Sequence, residues 1–130
     1  MIRTAIKRRR CVKPVNAKRK AAEFKRCYHS KERVEWVKEH PCLVGGFCCT
    51  SPFGIGVNEN AHIPSRSGMS RKGPYTKIVP LCKWHHTASP DASLHALNKE
   101  GFNRYHGLDL DAEAAALEAR WQAYLQRITP

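Results

Sequence analysis

Acidic side chains are scarce in this chain: 11 Asp plus Glu stand against 23 Lys plus Arg in 130 residues, a formal net charge of +12. Such a balance argues against a cationic partner and for a polyanion. Long apolar runs are missing too, and none approaches the roughly 20 residues that a helix needs to cross a bilayer. The opening MIRTAIKRRR has no apolar stretch of the kind a secretory signal carries. The sequence therefore speaks against a membrane protein and against a secreted disulfide scaffold, and the expected location is the cytoplasm. What is present, 42% hydrophobic residues, suffices for one modest core.

The charge is concentrated at one end. Residues 1–40 hold 14 Lys/Arg and 4 acids, whereas residues 41–130 hold 9 and 7. The first 20 residues carry nine basic side chains and no acid. Like charges at that density repel, and little apolar surface is at hand to offset the entropy of ordering them. Residues 1–20 are therefore expected to form a flexible basic arm, in which Arg8, Arg9 and Arg10 neutralise phosphates and release counterions. Residues 21–40 read as a helical lead-in and residues 41–130 as the main domain with a C-terminal helix.

Helix-forming residues dominate 17–39, with Ser30 placed to cap a helix holding Val34, Trp36 and Val37, and Pro41 ends it. Residues 42–60, rich in Gly and Cys, read as loops and short strands. Ala61-His62-Ile63 reads as the end of a strand before Pro64. A second strand is expected within 76–82, where Pro80 should force a bulge or a strand end. Residues 83–106 should be helical with a break in TASPDAS, the restarted helix being capped by Ser89 or Asp91. Asp109 or Asp111 then caps a last helix whose Ala114, Leu117, Trp121, Tyr124 and Ile128 recur on one face, a face expected to pack on the hairpin. Trp36, Trp84 and Trp121 read as core or half-buried residues.

Six Cys and seven His crowd unevenly in this chain. Without a secretory signal, that crowding favours metal ligation over disulfides. Cys82-x-x-His85 has knuckle spacing, so that one tight turn can present both donors to one zinc. Cys42 with Cys48 or Cys49, across a Gly45-Gly46 turn, supplies a second pair; Cys48 is the favoured of the two. A closed four-coordinate site of this kind is structural. If Cys82 and His85 close it at a helix start, adjacent His86 must point the other way, toward His62 on the strand. Strand and helix histidines facing each other suit metal-assisted phosphodiester hydrolysis, in which one imidazole takes a proton from water and a cation neutralises phosphate charge.

The run Pro41-Cys42, Ala61-His62-Ile63, Gly68-Met69, Lys72, Val79-Pro80-Leu81-Cys82, His85-His86, Leu94-His95, Phe102, Tyr105 and Gly107 resembles the HNH, or His-Me finger, endonucleases, in their phage-associated, Ref-like branch. The resemblance spans residues 34–125. It implies an α+β fold with a small ββα-metal hairpin-helix core, a zinc knuckle and flanking helices. It implies His62 as the general base, His86 and His95 as ligands of a catalytic divalent cation, and Cys42, Cys48 or Cys49, Cys82 and His85 around a structural zinc. Products in the family carry a 5′-phosphate and a 3′-hydroxyl. The chain departs from the family at Ala61, where many members carry Asp, which leaves Glu59 or a water as the substitute. It departs again near Lys77, where the middle Asn falls, so the backbone or another group has to orient His62. Residues 87–93 lengthen the gap between the two helix histidines.

Together these readings predict a metal-dependent DNA endonuclease or nickase using Mg, Mn, Ni or Zn, acting on double-stranded DNA. Arg66, Arg71 and Lys72, in the loop after His62, are the candidates for contacting phosphates beside the scissile bond, and Arg104 for pinning phosphate from the helix side. The resemblance points to a phage or prophage product in a bacterial host, with a recombinase or another phage or host protein as partner. The alternative is a catalytically inactive, zinc-stabilised nucleic-acid-binding module.

Overall fold

The computed structural model describes residues 16–45, 58–64 and 72–129. Helix α1, Ala17–Tyr28, opens on Asn16, whose side chain accepts the Lys18 N–H at 3.0 Å. The last residues of the basic stretch, 17–20, are thus helical; Arg8, Arg9 and Arg10 lie outside the described residues. At His29 (φ 68, ψ −62) the chain turns sharply, and the Ser30 N–H closes on the Tyr28 carbonyl at 2.9 Å. This is the geometry of a γ-turn, rare because it strains a residue with a Cβ. Ser30 then caps α2, Lys31–Lys38, by accepting the Arg33 N–H at 3.2 Å.

Two strands, β1 (Asn58–His62) and β2 (Ile78–Cys82), pair antiparallel, in a register running from Asn58 opposite Cys82 to His62 opposite Ile78. Pro80 neither bulges nor ends its strand. It sits opposite Asn60 with register unbroken on both sides. Its carbonyl, on the edge away from β1, accepts the Leu43 N–H at 3.1 Å. A residue's nitrogen and carbonyl share one edge of a strand, so the missing N–H falls where the ladder does not need it. Every residue of β2 is buried. On β1, Ala61 is buried in the core, while the Asn58 and Asn60 amides donate to the His40 and Val34 carbonyls and tie the strand to α2.

Past β2 the chain forms a π-helical turn, Trp84–Ala88, closed by the Ser89 N–H on the Trp84 carbonyl at 2.9 Å. Helix α3, Leu94–His106, is capped by Ser93, not by Ser89 or Asp91. Ser89 instead caps the preceding turn, its hydroxyl accepting from the Asp91 and Ala92 N–H groups. Several Ser and Asp side chains in TASPDAS have equal capping chemistry, and only the path of the chain selects among them. Helix α3 is interrupted at Asn98 (φ 59, ψ 179) and stops at Gly107, whose φ of 65 suits a residue without a Cβ. Helix α4, Leu110–Ile128, is capped by Asp109.

The core has two parts. Cys42, Ala61, Ile63, Val79, Leu81, Cys82, Leu94, Phe102, Leu110 and Ala114 form one cluster. Val37, Ile78 and Leu117 form the other, flanked by Tyr28, Trp36 and Tyr75. Helix α4 feeds both along the single face expected from its apolar spacing, and Trp121 is 1% exposed; Ile128, at the helix end, is 50% exposed. Burying one such Leu, Val or Phe contributes about 1.5–3 kcal/mol. Arg33 is buried as well, with Nη2 3.1 Å from Glu118 and the guanidinium over the Tyr75 and Trp121 rings. Its Nε and Nη1 have no hydrogen-bond partner. The architecture is thus mixed α+β: a two-stranded antiparallel sheet with helices packed around it. No helix among the described residues is long and apolar enough to cross a membrane.

Candidate metal centre and histidine site

Cys42 leads a tight turn in which the Gly45 N–H donates to the Cys42 carbonyl at 3.1 Å, with Gly45 at φ 67. The adjacent Leu43 bond to Pro80 holds this turn against the edge of β2, beside Cys82 at the strand's end. One turn later His85 folds back over both sulfurs. Its Nδ1 lies 3.2 Å from Cys82 Sγ and 3.7 Å from Cys42 Sγ. The three donor atoms all lie within 4.8 Å of one another. Around a tetrahedral zinc with Zn–S about 2.3 Å and Zn–N about 2.0–2.1 Å, sulfur and nitrogen ligands sit roughly 3.5 Å apart. The cluster therefore fits such an ion.

The surroundings match that chemistry. Cys42, Cys82 and His85 are 7%, 4% and 2% exposed. The backbone N–H of His85 points at Cys82 Sγ, 3.5 Å away, as a donor does toward a ligand thiolate. Burial, helped by neighbouring His106, pushes His85 below its ordinary pKa and keeps the imidazole neutral, the form that binds metal. Cys27, Cys42 and Cys82 form no disulfide. The expected fourth ligand, Cys48, and its alternative Cys49 lie outside the described residues.

His62 occupies the last position of β1, half-buried beneath the end of α1. Its Nε2–H donates to the Cys27 carbonyl at 2.7 Å, and its ring meets Tyr28 edge-on at 5.0 Å. Cys27 lies in the last turn of α1, where carbonyls lack a helical partner, so strand and helix satisfy each other. A carbonyl only accepts, which fixes the proton on Nε2 and leaves Nδ1 as the basic nitrogen. Burial is the largest influence on His62 and lowers its pKa; the charges of Lys72, His86 and Arg26 lower it further, against a smaller raising effect of the Cys27 carbonyl. His62 is a neutral imidazole of fixed tautomer, which is what a general base requires. The backbone supplies the orientation that no Asn side chain provides here.

Lys72 stands beside it. Its ammonium donates to the Tyr28 hydroxyl at 2.6 Å and lies 5.1 Å from the Tyr28 ring centroid. Arg26 Nη2 donates to the Lys72 carbonyl at 2.8 Å and to Glu23 at 2.5 Å. Arg66 and Arg71 lie outside the described residues. Arg104 is exposed and lines an open cavity of about 530 Å³ with Pro64, Leu97 and Asn98.

His86 does point away from the cluster that holds His85. Its Nδ1–H donates to Glu59 Oε2 at 2.5 Å, with the two side chains 25% and 36% exposed. Ala61 lies on the core face of β1, 0% exposed, where a carboxylate would be stripped of water. The carboxylate that meets His86 is that of Glu59, two positions earlier. His95, on the first turn of α3, is exposed. The turn at Ser89–Ala92 sets it on a separate helix from His86. Among the described residues the one group of three ligand-type donors is Cys42, Cys82 and His85. Sequence reasoning missed the Cys27 carbonyl, Tyr28 and Arg26, none of which carries a motif. Comparison with protein-family models, curated proteins and solved structures returned no match.

Proposed function

We propose that this chain is a metal-dependent nuclease that hydrolyses DNA phosphodiester bonds, as an endonuclease or nickase. The observation that carries the reading is His62: a neutral imidazole whose Nε2–H is tied to the Cys27 carbonyl, beside the cationic Lys72 and Arg26. In this reading His62 Nδ1 takes the proton from a water as that water's oxygen attacks phosphorus. The bond to the 3′-oxygen breaks, leaving a 5′-phosphate and a 3′-oxyanion that takes a proton from solvent to become the 3′-hydroxyl. Lys72 and Arg26 face the phosphate, with Arg66, Arg71 and the arm residues Arg8, Arg9 and Arg10 along the backbone. His86, with Glu59 on its Nδ1, offers a donor nitrogen to a divalent cation. Such a cation, Mg, Mn, Ni or Zn, would neutralise charge on the phosphate and the leaving oxygen. The HNH resemblance adds His95 as a second ligand, whereas the structure sets it exposed on a helix separate from His86. Cys42, Cys82 and His85 hold a structural zinc with Cys48, or Cys49, as fourth ligand. The HNH resemblance, a phage or prophage origin, a cytoplasmic location and a recombinase or other protein partner belong to the same proposal.

The test is plasmid cleavage. Supercoiled DNA is incubated with wild type and His62→Ala across Mg, Mn, Ni and Zn. Nicked or linear product from wild type alone supports the nuclease; intact DNA in every lane sinks it. One observation favours a second reading: among the described residues His86 and His95 belong to no group of three or more ligand-type donors. In that case the chain is a zinc-stabilised module that binds nucleic acid without cutting. Shifted but intact DNA with every ion would support it.

A further inference from the structure

Helix α1 gives little of its surface to the core. Every residue from Ala17 to Lys25 is exposed, and burial begins only in the last turn, where Cys27 is 3% exposed. The exposed stretch carries Lys18, Arg19, Lys20 and Lys25 against one acid, Glu23. At 12 residues, such a helix is marginal alone in water, and it buries little apolar surface to offset its ordering. Its charge suits a polyanion. One face adds aromatic rings. Lys20, Phe24 and Tyr28 follow one another at i, i+4 spacing, on a single stripe of the helix. Phe24 is 39% exposed, and a lone exposed Phe would be ordinary. Here the ring is held in place: it packs on Tyr28 with centroids 5.4 Å apart and planes inclined by 31°. Tyr28 is fixed in turn by the Lys72 ammonium, 5.1 Å from its ring centroid, and by His62, edge-on at 5.0 Å. The stripe thus runs from a cation, over an open aromatic ring, to a second cation, and ends at the candidate general base.

Cations alone do not distinguish a duplex from a single strand, but an open aromatic ring does. In a duplex the base faces are stacked on one another, and a protein meets phosphates and base edges. An unpaired strand offers its π-faces, and aromatic side chains flanked by cations are how proteins hold it. Deepening the nuclease reading, and resting on it for the choice of DNA, we propose that the face of α1 formed by Lys20, Phe24 and Tyr28 binds single-stranded DNA. One base stacks on Phe24, Lys20 and Lys72 take the phosphates on either side, and the strand is led toward His62. The substrate is then an unpaired or locally opened strand, not the intact duplex that the sequence suggests. Because Tyr28 already positions the Phe24 ring, little rotamer freedom is lost on binding.

The test is fluorescence anisotropy with the full, zinc-loaded chain and no added divalent cation. Probes are a labelled oligothymidylate, a duplex of equal length and an oligouridylate. Variants are Phe24→Ala, Phe24→Leu, Phe24→Trp and Lys20→Gln, all at exposed positions and each first shown by thermal melting to be folded. Wild type is expected to bind the single DNA strand more tightly than the duplex. Phe24→Ala should weaken single-strand binding about 5- to 150-fold and leave duplex binding unchanged. Phe24→Leu should behave like Phe24→Ala, since it stays apolar but has no π-face. Phe24→Trp should bind at least as tightly as wild type. Lys20→Gln should weaken binding to strand and duplex alike, and flatten the logarithmic salt slope for the strand by about 0.7. Equal affinity for strand and duplex, an unaffected Phe24→Ala, full affinity in Phe24→Leu, or no strand binding by wild type overturns the proposal, as does tighter binding of oligouridylate. Its failure differs from that of the nuclease reading. Phe24-dependent strand binding with an intact plasmid keeps this surface and sinks the nuclease. His62-dependent cleavage with unchanged strand binding in Phe24→Ala does the reverse.

Discussion

His85 and His86 are neighbours in the chain and opposites in environment. His85 is 2% exposed, between two sulfurs. The His86 side chain is 25% exposed against a carboxylate. One turn of backbone thus presents a dry, soft donor set on one side and a wet, hard one on the other. Closed thiolate-rich sites hold a fold together, while sites with open positions admit a substrate or water. The two sides should therefore fail differently: loss of the first should cost the fold, and loss of the second should leave it standing.

The largest effect should come from the dry side. Removing metal with a strong chelator, or Cys82→Ser, is expected to abolish the cooperative thermal melt, because the cluster joins the end of α2, the edge of β2 and the following turn. A metal analysis should find zinc in wild type and lose it in the variant. A melt unchanged by chelation would break the comparison. Next is a truncation in the core away from the cluster, Trp121→Ala, expected to cost about 3–5 kcal/mol in urea unfolding while leaving bound zinc in place. On the wet side, His62→Ala should change stability by only about 1 kcal/mol, the scale of one hydrogen bond, yet remove the proposed cleavage.

Acid should sharpen the contrast. The folded pKa of His62 lies below its ordinary 6.5, so the unfolded chain binds more protons as pH falls. Its contribution to stability is complete above the unfolded pKa and is lost as pH drops below it, toward the folded pKa. Urea melts at descending pH should show this loss, and His62→Ala should lack it. The smallest effect is expected from Lys72→Met. Removing that cation lets the His62 pKa rise, so the acid limb of the cleavage profile should move to higher pH, with stability little changed.

Much of the frame was legible because local chemistry decided it. Ser30 and Asp109 stand where caps are needed, α4 buries the face its apolar spacing predicts, and Cys82-x-x-His85 closes as a knuckle must. His86 faces away from that cluster because adjacent residues on a helical turn diverge. What escaped was decided by contacts between distant segments. Ser93 took the cap that Ser89 and Asp91 could equally have made. Pro80 stayed within its strand because its nitrogen happened to face the outer edge. Buried Arg33 resembles any other basic residue of a charged helix until Glu118, Tyr75 and Trp121 are folded around it. The Cys27 carbonyl is a backbone atom, and no residue type signals that it will meet His62.

That carbonyl has a consequence for where the working unit begins. A chain cut at residue 41 would keep both strands, the three metal donors and α3 and α4. It would lose α2, with Val37 of the core and the Val34 carbonyl that ties down β1, and α1, with the acceptor that holds the proton on Nε2 of His62. Such a fragment would carry every residue of the expected catalytic motif and still lack the bond that selects one tautomer of His62. The smallest portable unit of this protein therefore includes both helices ahead of the hairpin, α2 for the strand it holds and α1 for one peptide oxygen.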